Sequence, residues 1–141
     1  MSETLPTQIE LEIVTPDHLV VRETVTGVTI PGKNGYLGIL PGHTPLLSEI
    51  VPGEIAYVRD NTTHYLTVSW GVAEVLADRV VVLAQTAERA EEIDITRAEA
   101  AKQRAEERLN KYSDVSVDRE RAREALAKAI ARLEAAHHAK G

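Results

Sequence analysis

Residues 35–47 read Gly-Tyr-Leu-Gly-Ile-Leu-Pro-Gly-His-Thr-Pro-Leu-Leu, and the stretch closes with Pro52-Gly53-Glu54. Glycine tolerates positive φ and proline fixes φ at about −65°, so Pro41-Gly42 and Pro52-Gly53 predict tight turns beside short hydrophobic strands. These turns place His43 and Thr44 at the tip of a rigid loop. Because a rigid loop loses little conformational entropy when a partner binds, the stretch predicts a docking surface.

The residues around this stretch predict short strands. Within residues 8–14, Ile9, Leu11 and Ile13 alternate with polar residues, as in a strand with one face in solvent. Further β-rich segments, separated by turn-forming residues, are 19–22, 25–30, 36–40, 54–59, 63–68, 71–76 and 79–84. This spacing predicts an antiparallel β-sandwich over residues 1–86, with a core of Val, Ile and Leu because phenylalanine is absent.

After residue 84 the composition shifts to alanine, glutamate and arginine, and the hydrophobic period lengthens from two towards 3.6. The predicted apolar stripes are Ala98, Ala101, Ala105, Leu109 and Tyr112 in a first helix and Ala122, Leu126, Ala129, Ile130 and Leu133 in a second. Residues 110–116 interrupt the pattern, and Ser116 is a candidate cap. Residues 87–141 therefore predict an antiparallel α-helical hairpin, and the whole chain an α+β fold.

The alanine content of the hairpin bears on its behaviour. Burial contributes about 25 cal/mol per Å² of apolar surface, and alanine offers little surface, so the packing of the hairpin should be weak. Alanine, glutamate, lysine and arginine favour helix, so each helix should persist after it leaves its partner. These properties predict a conformational switch between docked and extended states.

Composition excludes several classes of protein. The formal net charge of −6 argues against nucleic-acid binding, and the absence of cysteine excludes disulfides. The five histidines lack metal spacing, so no metal site is expected. The amino terminus has neither the basic nor the apolar region of a signal peptide, and no apolar run reaches the roughly 20 residues that span a bilayer.

The charge is unevenly distributed along the chain. Residues 1–86 carry −6, residues 87–114 carry −2 and residues 115–141 carry +2. The basic tail predicts an acidic partner.

Motifs of catalysis are missing from the sequence. It has no Gly-x-x-x-x-Gly-Lys loop, no Gly-x-Gly-x-x-Gly and no Gly-x-Ser-x-Gly. We therefore expect no catalytic residue, and any bound nucleotide would be sensed and not hydrolysed.

Four charged residues near the start of the hairpin form a candidate nucleotide site: Glu88, Asp94, Arg97 and Arg104. The two arginines are seven residues apart on one helical face, and neither has a carboxylate at i±4. Guanidinium groups without local partners are suited to gripping phosphates. The alternative is that Asp94 caps the first helix and the arginines are solvated.

The second helix offers a second candidate set. Arg123, Lys128 and Arg132 either engage an acidic partner when the hairpin opens or belong to a solvated face of mixed charge. His137 and His138 are expected to be solvated. Trp70 fits an interface anchor or a half-buried core position equally well.

Several of these motifs resemble the ε subunit of F-type ATP synthases. The resemblance rests on Gly-Ile-Leu-Pro-Gly-His-Thr-Pro-Leu-Leu at residues 38–47 and Pro-Gly-Glu at 52–54. It extends to residues 9–16, to residues 70–84, and to Ile93-Asp94 with Arg97-Ala98. It covers nearly the whole chain.

The resemblance implies a subunit of the rotor. The sandwich would dock on the γ subunit and the c-ring, and the docking segment facing the c-ring would be Lys33, Asn34, Gly35, Leu40, Pro41, Gly42, His43, Thr44 and Pro45. The hairpin would extend beside the β and α subunits, with Arg123, Lys128 and Arg132 as inhibitory residues, and would oppose ATP hydrolysis. The chain would be peripheral to the membrane, through the complex, on the cytoplasmic face of the bacterial inner membrane, where it would help couple proton translocation to ATP synthesis.

The resemblance also implies a regulatory ligand. No cofactor is required, but ATP would bind with its phosphates on Arg97 and Arg104 and its ribose or base on Glu88 and Asp94. Two rival functions remain. A free-standing nucleotide sensor would use the same four residues without a rotor partner, and a purely structural coupling subunit would never open the hairpin.

Overall fold

The computed structural model describes residues 5–110 and 119–140 of the 141-residue chain. Ten strands precede a 3-10 helix, Ala90–Glu92, and two α-helices, α1 (Ile95–Asn110) and α2 (Arg119–Lys140). The strands β1 to β10 are, in chain order, Ile9–Val14, Leu19–Val25, Gly27–Gly32, Gly35–Ile39, Leu46–Ile50, Gly53–Arg59, Thr62–Val68, Gly71–Val75, Arg79–Ala84 and Ala87–Arg89.

The strands form one nearly closed sheet that folds over itself as a sandwich. The strand order is β10-β7-β6-β3-β5-β8-β9-β1-β2, and β4 pairs with β3 outside this path. The predicted fold class is confirmed, with one addition: β1 runs parallel to β9, while the other described pairs are antiparallel. Strands this far apart in the chain need no hairpin between them, so parallel pairing is available to them.

Three polar contacts join the two layers where the sheet closes. Arg59 lies 2.7 Å from the carboxylate of Glu23, which raises the pKa of the guanidinium above its usual value through a hydrogen bond and charge attraction. The N–H of Thr26 donates to the carbonyl of Val58 at 2.9 Å. The guanidinium of Arg89 donates to the carbonyl of Val20 at 3.0 Å, so β10 is tied to β2.

The core lies between the layers and consists of aliphatic side chains, as predicted, with Tyr57 as its largest member. The alternation predicted for β1 is confirmed, because Ile9, Leu11 and Ile13 are fully buried. This core contains residues of the strands only. The sandwich therefore has its own core, independent of the two helices.

Two strands were not predicted from the sequence. Residues 46–50 form β5, whose outward residues are apolar as well as polar, so the alternation is weak. Residues 87–89 form β10, which extends the sheet three residues beyond the predicted end of the sandwich at residue 86. β10 is too short for a periodic pattern to reveal it.

The two helices pack against each other, α2 packs against the sandwich, and together they are called the arm here. Ala98 and Ala105 in α1 and Ala122 and Ala129 in α2 are buried as predicted. The predicted burial of Ile130 is wrong, because this side chain is 37% exposed. The predicted positions of Tyr112 and of the Ser116 cap lie outside the described residues.

Neither of the described helices is long and apolar enough to cross a membrane.

Candidate functional site

The arm covers only one outer face of the sandwich. Helix α2 contacts β6, β7 and the 3-10 helix. The outer face of β5, β8 and β9 receives neither helix among the described residues. The molecule therefore presents two candidate surfaces. One is the contact of α2 with β6, β7 and the 3-10 helix, which we call the joint. The other is the sheet face that neither helix covers.

An ion pair joins the arm to the last strand. Glu88 lies in β10, where it pairs with Thr67 of β7, and its two carboxylate oxygens accept from Nε and Nη2 of Arg132 at 2.8 and 3.3 Å. Both side chains are about one-quarter to one-third exposed, so solvent screens the pair only in part. The two residues that the sequence assigned to different sites therefore form one bidentate contact.

A second polar contact lies closer to the carboxy terminus. Nδ1 of His138 donates to Oε2 of Glu54 at 2.7 Å, and the imidazole lies 4.9 Å from the ring of Tyr65. Both His137 and His138 are exposed, as predicted, but the contact of His138 with Glu54 was not predicted. Sequence reasoning missed Glu54 and Tyr65 as well, because contacts between residues 84 positions apart leave no local pattern.

Small side chains fill the space between these two contacts. Ala135 and Ala136 of α2 pack with residues of the 3-10 helix and the start of α1, in a cluster completed by Ala90, Ile93 and Ala98. Tyr65, Ile95 and Leu133 border it. Four of the five buried members are alanines, so the joint buries little apolar surface per residue.

The four residues of the predicted nucleotide site do not share one arrangement. Asp94 caps α1, since its Oδ1 accepts from the backbone N–H of Arg97 at 3.0 Å. Arg97 and Arg104 are exposed on α1. Glu88 faces Arg132 on the other helix. Of the two interpretations of Asp94, nucleotide ligand and helix cap, the contact in this structure is that of a helix cap.

Of the three predicted inhibitory residues, two face the joint. Lys128 and Arg132 line a cavity of about 370 Å³ with Glu88, and its remaining wall consists of Thr67, Val68, Ser69, Thr86 and Ala87. Its size falls within the range of ligand pockets, and it carries two cations and three hydroxyl groups. Arg123 is exposed.

The predicted docking segment is divided between two ends of one strand. Residues 33–35 turn between β3 and β4, and residues 40–45 follow the other end of β4. The five residues of β4, at roughly 3.3 Å each, separate the two parts by about 16 Å. The docking segment that the resemblance implies therefore consists of two separate turns, because the intervening residues are extended.

Each part of this segment is held in place. The N–H of Gly42 donates to the carbonyl of Ala77 at 2.7 Å, and Gly42 has a φ of +88° that favours glycine. At the other end, Lys33 lies 3.2 Å from Glu49. Leu40 and Tyr36 are exposed large side chains.

The uncovered outer face carries an apolar surface. Val72 of β8 and Leu83 of β9 are paired across the strands and are 40% and 51% exposed, and Leu47 of β5 is 72% exposed. Trp70 is half-buried and lines two adjoining grooves of about 430 and 500 Å³. We call Leu47, Val72, Leu83 and Trp70 the outer apolar face. Exposed apolar side chains that share one face in this way, here interspersed with Glu49 and Glu74, mark interaction sites.

In the described ranges, no group of three His, Cys, Asp or Glu side chains is placed to hold a metal ion.

Family models match the two halves of the chain. The model described as "ATP synthase, Delta/Epsilon chain, beta-sandwich domain" matches residues 8–90, and that described as "ATP synthase, Delta/Epsilon chain, long alpha-helix domain" matches residues 91–137. Their boundary follows β10, which agrees with the end of the sheet in the structure.

Curated relatives carry the same name. The chain is 60% identical to the ATP synthase epsilon chain of Koribacter versatilis over 71% of its own length and 70% of the relative's. It is 50% identical to that of Nitratidesulfovibrio vulgaris over 89% of its own length and 92% of the relative's. Both relatives bear the name of a subunit family that is not itself catalytic.

Solved structures share the fold. A chain in the Euglena gracilis mitochondrial ATP synthase structure (OSCP/F1/c-ring) superimposes with a TM-score of 0.82 at 24% identity, over 100% of this chain and 86% of the other. A chain in the central stalk and c-ring structure of the Tetrahymena thermophila enzyme gives 0.52 at 17% identity, over 63% and 72%. With the family models and relatives above, these findings establish that the chain belongs to the ATP synthase delta/epsilon family, as a non-catalytic epsilon chain of the F type.

Proposed function

We propose that this chain is a rotor subunit of a proton-translocating ATP synthase, which docks on the γ subunit and c-ring through its sandwich and opposes ATP hydrolysis through its arm. The observation that carries this proposal is the contrast between the two outer faces of the sandwich. One is covered by an arm whose joint is lined mainly by alanine, and the other exposes apolar side chains. The solved structures that share the fold are of assemblies with the c-ring and the central stalk, which supports the choice of partners.

The outer apolar face is the proposed contact with γ. Val72 and Leu83 lie on strands that are paired on both sides, so a partner would contact their side chains and not extend the sheet there. Leu47 lies on β5, which is paired along its length with β8. Trp70 borders this face between two grooves. A half-buried tryptophan beside exposed aliphatic residues is typical of an interface anchor.

The two parts of the docking segment, residues 33–35 and residues 40–45, lie at opposite ends of β4. We propose that they contact different partners. We assign the tip at residues 33–35, together with Tyr36, to the c-ring. Residues 40–45 adjoin Leu47 and extend the proposed γ surface. The complex would hold the chain at the cytoplasmic face of the bacterial inner membrane.

The arm is suited to release because its joint is small and partly polar. Undocking would expose mainly alanine surface and would separate two charged or polar contacts that water can replace. It would also free Arg132 from Glu88, so that Arg132 could meet acidic groups of the β and α subunits together with Lys128 and Arg123. In the docked state, Glu88 pairs with Arg132, which is one of the residues that inhibition would use.

Binding to γ tests the rotor assignment against a free-standing sensor. Purified γ should retain the chain, and should also retain a truncated chain that ends at Glu92, since the core of the sandwich contains no residue of either helix. Failure of γ to retain the full chain would contradict the rotor assignment and favour the sensor. Unchanged ATP hydrolysis on truncation would favour the purely structural subunit.

Regulatory ATP binding is a second candidate function. The cavity between β7, β10 and α2 combines Lys128 and Arg132 with hydroxyl groups, and Glu88 lies at its edge. Arg97 and Arg104 would have to supply phosphate contacts from α1. Asp94 can serve as a ligand only with the carboxylate oxygen that does not cap the helix. Bound ATP would stabilise the docked arm by mass action.

Calorimetric titration with MgATP tests this candidate. Saturable binding by the full chain that is lost in Arg97→Ala, Arg104→Ala and Arg132→Ala would support an ATP site, with Arg22→Ala on the sandwich as control. No heat up to millimolar MgATP would exclude regulatory binding. The rotor assignment would stand in either case.

A further inference from the structure

Glu54 joins two parts of the molecule through different atoms. Its backbone N–H donates to the hydroxyl oxygen of Tyr36 at 3.2 Å, and its carboxylate accepts from Nδ1 of His138 at 2.7 Å. Tyr36 follows the tip at residues 33–35, and His138 lies in the last turns of α2. One residue therefore contacts both a loop and the end of the arm.

The hydroxyl group of Tyr36 lies where a side chain at position 53 would be, and Gly53 has no side chain. A Cβ at Gly53 would lie 3.0 Å from this hydroxyl oxygen and 2.6 Å from Cβ of Pro31. A larger residue at position 53 would displace Tyr36 from the turn. The ring of Tyr36 is 58% exposed, although its hydroxyl is held, so a partner can reach the ring from solvent.

The carboxylate side of Glu54 is sheltered. Its side chain is 13% exposed, and His138 also contacts the ring of Tyr65 from β7. Ala135 and Ala136, which precede His138, are buried in the joint. The Glu54 contact therefore lies beside the buried residues Ala135 and Ala136 of α2.

We propose that Tyr36, Glu54 and His138 couple the tip at residues 33–35, in the turn between β3 and β4, to the arm. Tyr36 holds the backbone of Glu54 where its carboxylate meets His138. A partner that draws the ring of Tyr36 away moves Glu54 and weakens the hold on α2. The inference rests on the proposed function, in which the tip faces the c-ring and the arm is released. It makes contact at the tip a regulator of that release.

Thiol labelling of the isolated full chain tests the coupling, because the natural chain has no cysteine. An Ala136→Cys substitution places one thiol in the joint, where it reacts only when the arm undocks. An Ala73→Cys substitution places one in the sandwich core, where it reports global unfolding. Labelling is compared in the parent, in Tyr36→Phe, in His138→Ala and in the double variant.

We expect Tyr36→Phe to raise the labelling rate at position 136 about threefold to tenfold, the effect of one lost hydrogen bond, with no change at position 73. In the His138→Ala background, Tyr36→Phe should add nothing. No effect of Tyr36→Phe, an equal effect in both backgrounds, or an equal rise at position 73 would overturn the coupling. Since γ takes no part in the measurement, these outcomes are separate from failure of the rotor assignment.

Discussion

At the scale of single residues, Gly71 illustrates a position where the backbone leaves no room. A Cβ there would collide with the carbonyl oxygen of Leu83 and would lie 2.8 Å from Cα of Ala84. Both neighbours are backbone atoms of the paired strand β9, so no side-chain movement can relieve the contact.

We therefore expect Gly71→Ala to lower the free energy of unfolding by about 2 kcal/mol or more. Gly38→Ala is the matched control, because a Cβ at Gly38 meets nothing within 4 Å. Urea denaturation followed by tryptophan fluorescence measures both variants. Equal stability of the two would contradict the close approach of β8 and β9.

Asp94 tests whether a predicted ligand is a helix cap. Asp94→Ala should destabilise α1 by about 1 kcal/mol, since the N–H of Arg97 loses its acceptor, whereas Asp94→Asn should retain most of the stability. Thermal unfolding followed by circular dichroism distinguishes the two variants. If Asp94→Asn were as unstable as Asp94→Ala, the charge and not the cap would be the source of stability.

At the scale of elements, the contact of α2 with β10 governs docking of the arm. Arg132→Ala removes a bidentate, half-buried pair and should raise thiol labelling at position 136 about tenfold, which corresponds to a loss of about 1.4 kcal/mol. Arg123→Ala removes an exposed arginine of the same helix and should leave labelling unchanged. A similar rise in both variants would mean that net charge, and not the Glu88 pair, holds the arm.

The sequence predicted these elements where their periodicity is strong. The alternation of β1 and the alanine positions of α1 and α2 follow directly from one buried face per element. β5 and β10 were missed, since Leu47 faces outward although it is apolar and residues 87–89 are too few to show a period.

The joint was predictable only in part, for a related reason. The charges of Glu88, Lys128 and Arg132 stand out in the sequence, but their pairing depends on how α2 lies on the sheet. The Glu54–His138 contact has no local signature at all, because nothing near an exposed histidine in a mixed-charge helix indicates a partner 84 residues away. The division of the docking segment follows from the strand predicted over residues 36–40, because an extended strand separates the residues before it from those after it.

At the scale of the whole molecule, the uncovered sheet face should determine assembly. Leu83→Asp places a charge in the outer apolar face and should weaken binding to γ at least tenfold, as expected when an interface residue of a desolvated patch is lost. Because Leu83 is exposed in the isolated chain, its stability should change little. Leu19→Asp, at another exposed leucine on β2, is the control. Biosensor titration with γ measures both, and equal affinities would place the interface elsewhere.

The central claim is that a rotor-docking sandwich carries a releasable inhibitory arm. The most direct test compares ATP hydrolysis by the assembled enzyme with the full chain and with a chain that ends at Glu92. We predict that both chains remain in the complex and that hydrolysis is faster with the truncated one. Equal hydrolysis rates, with both chains retained, would contradict the claim.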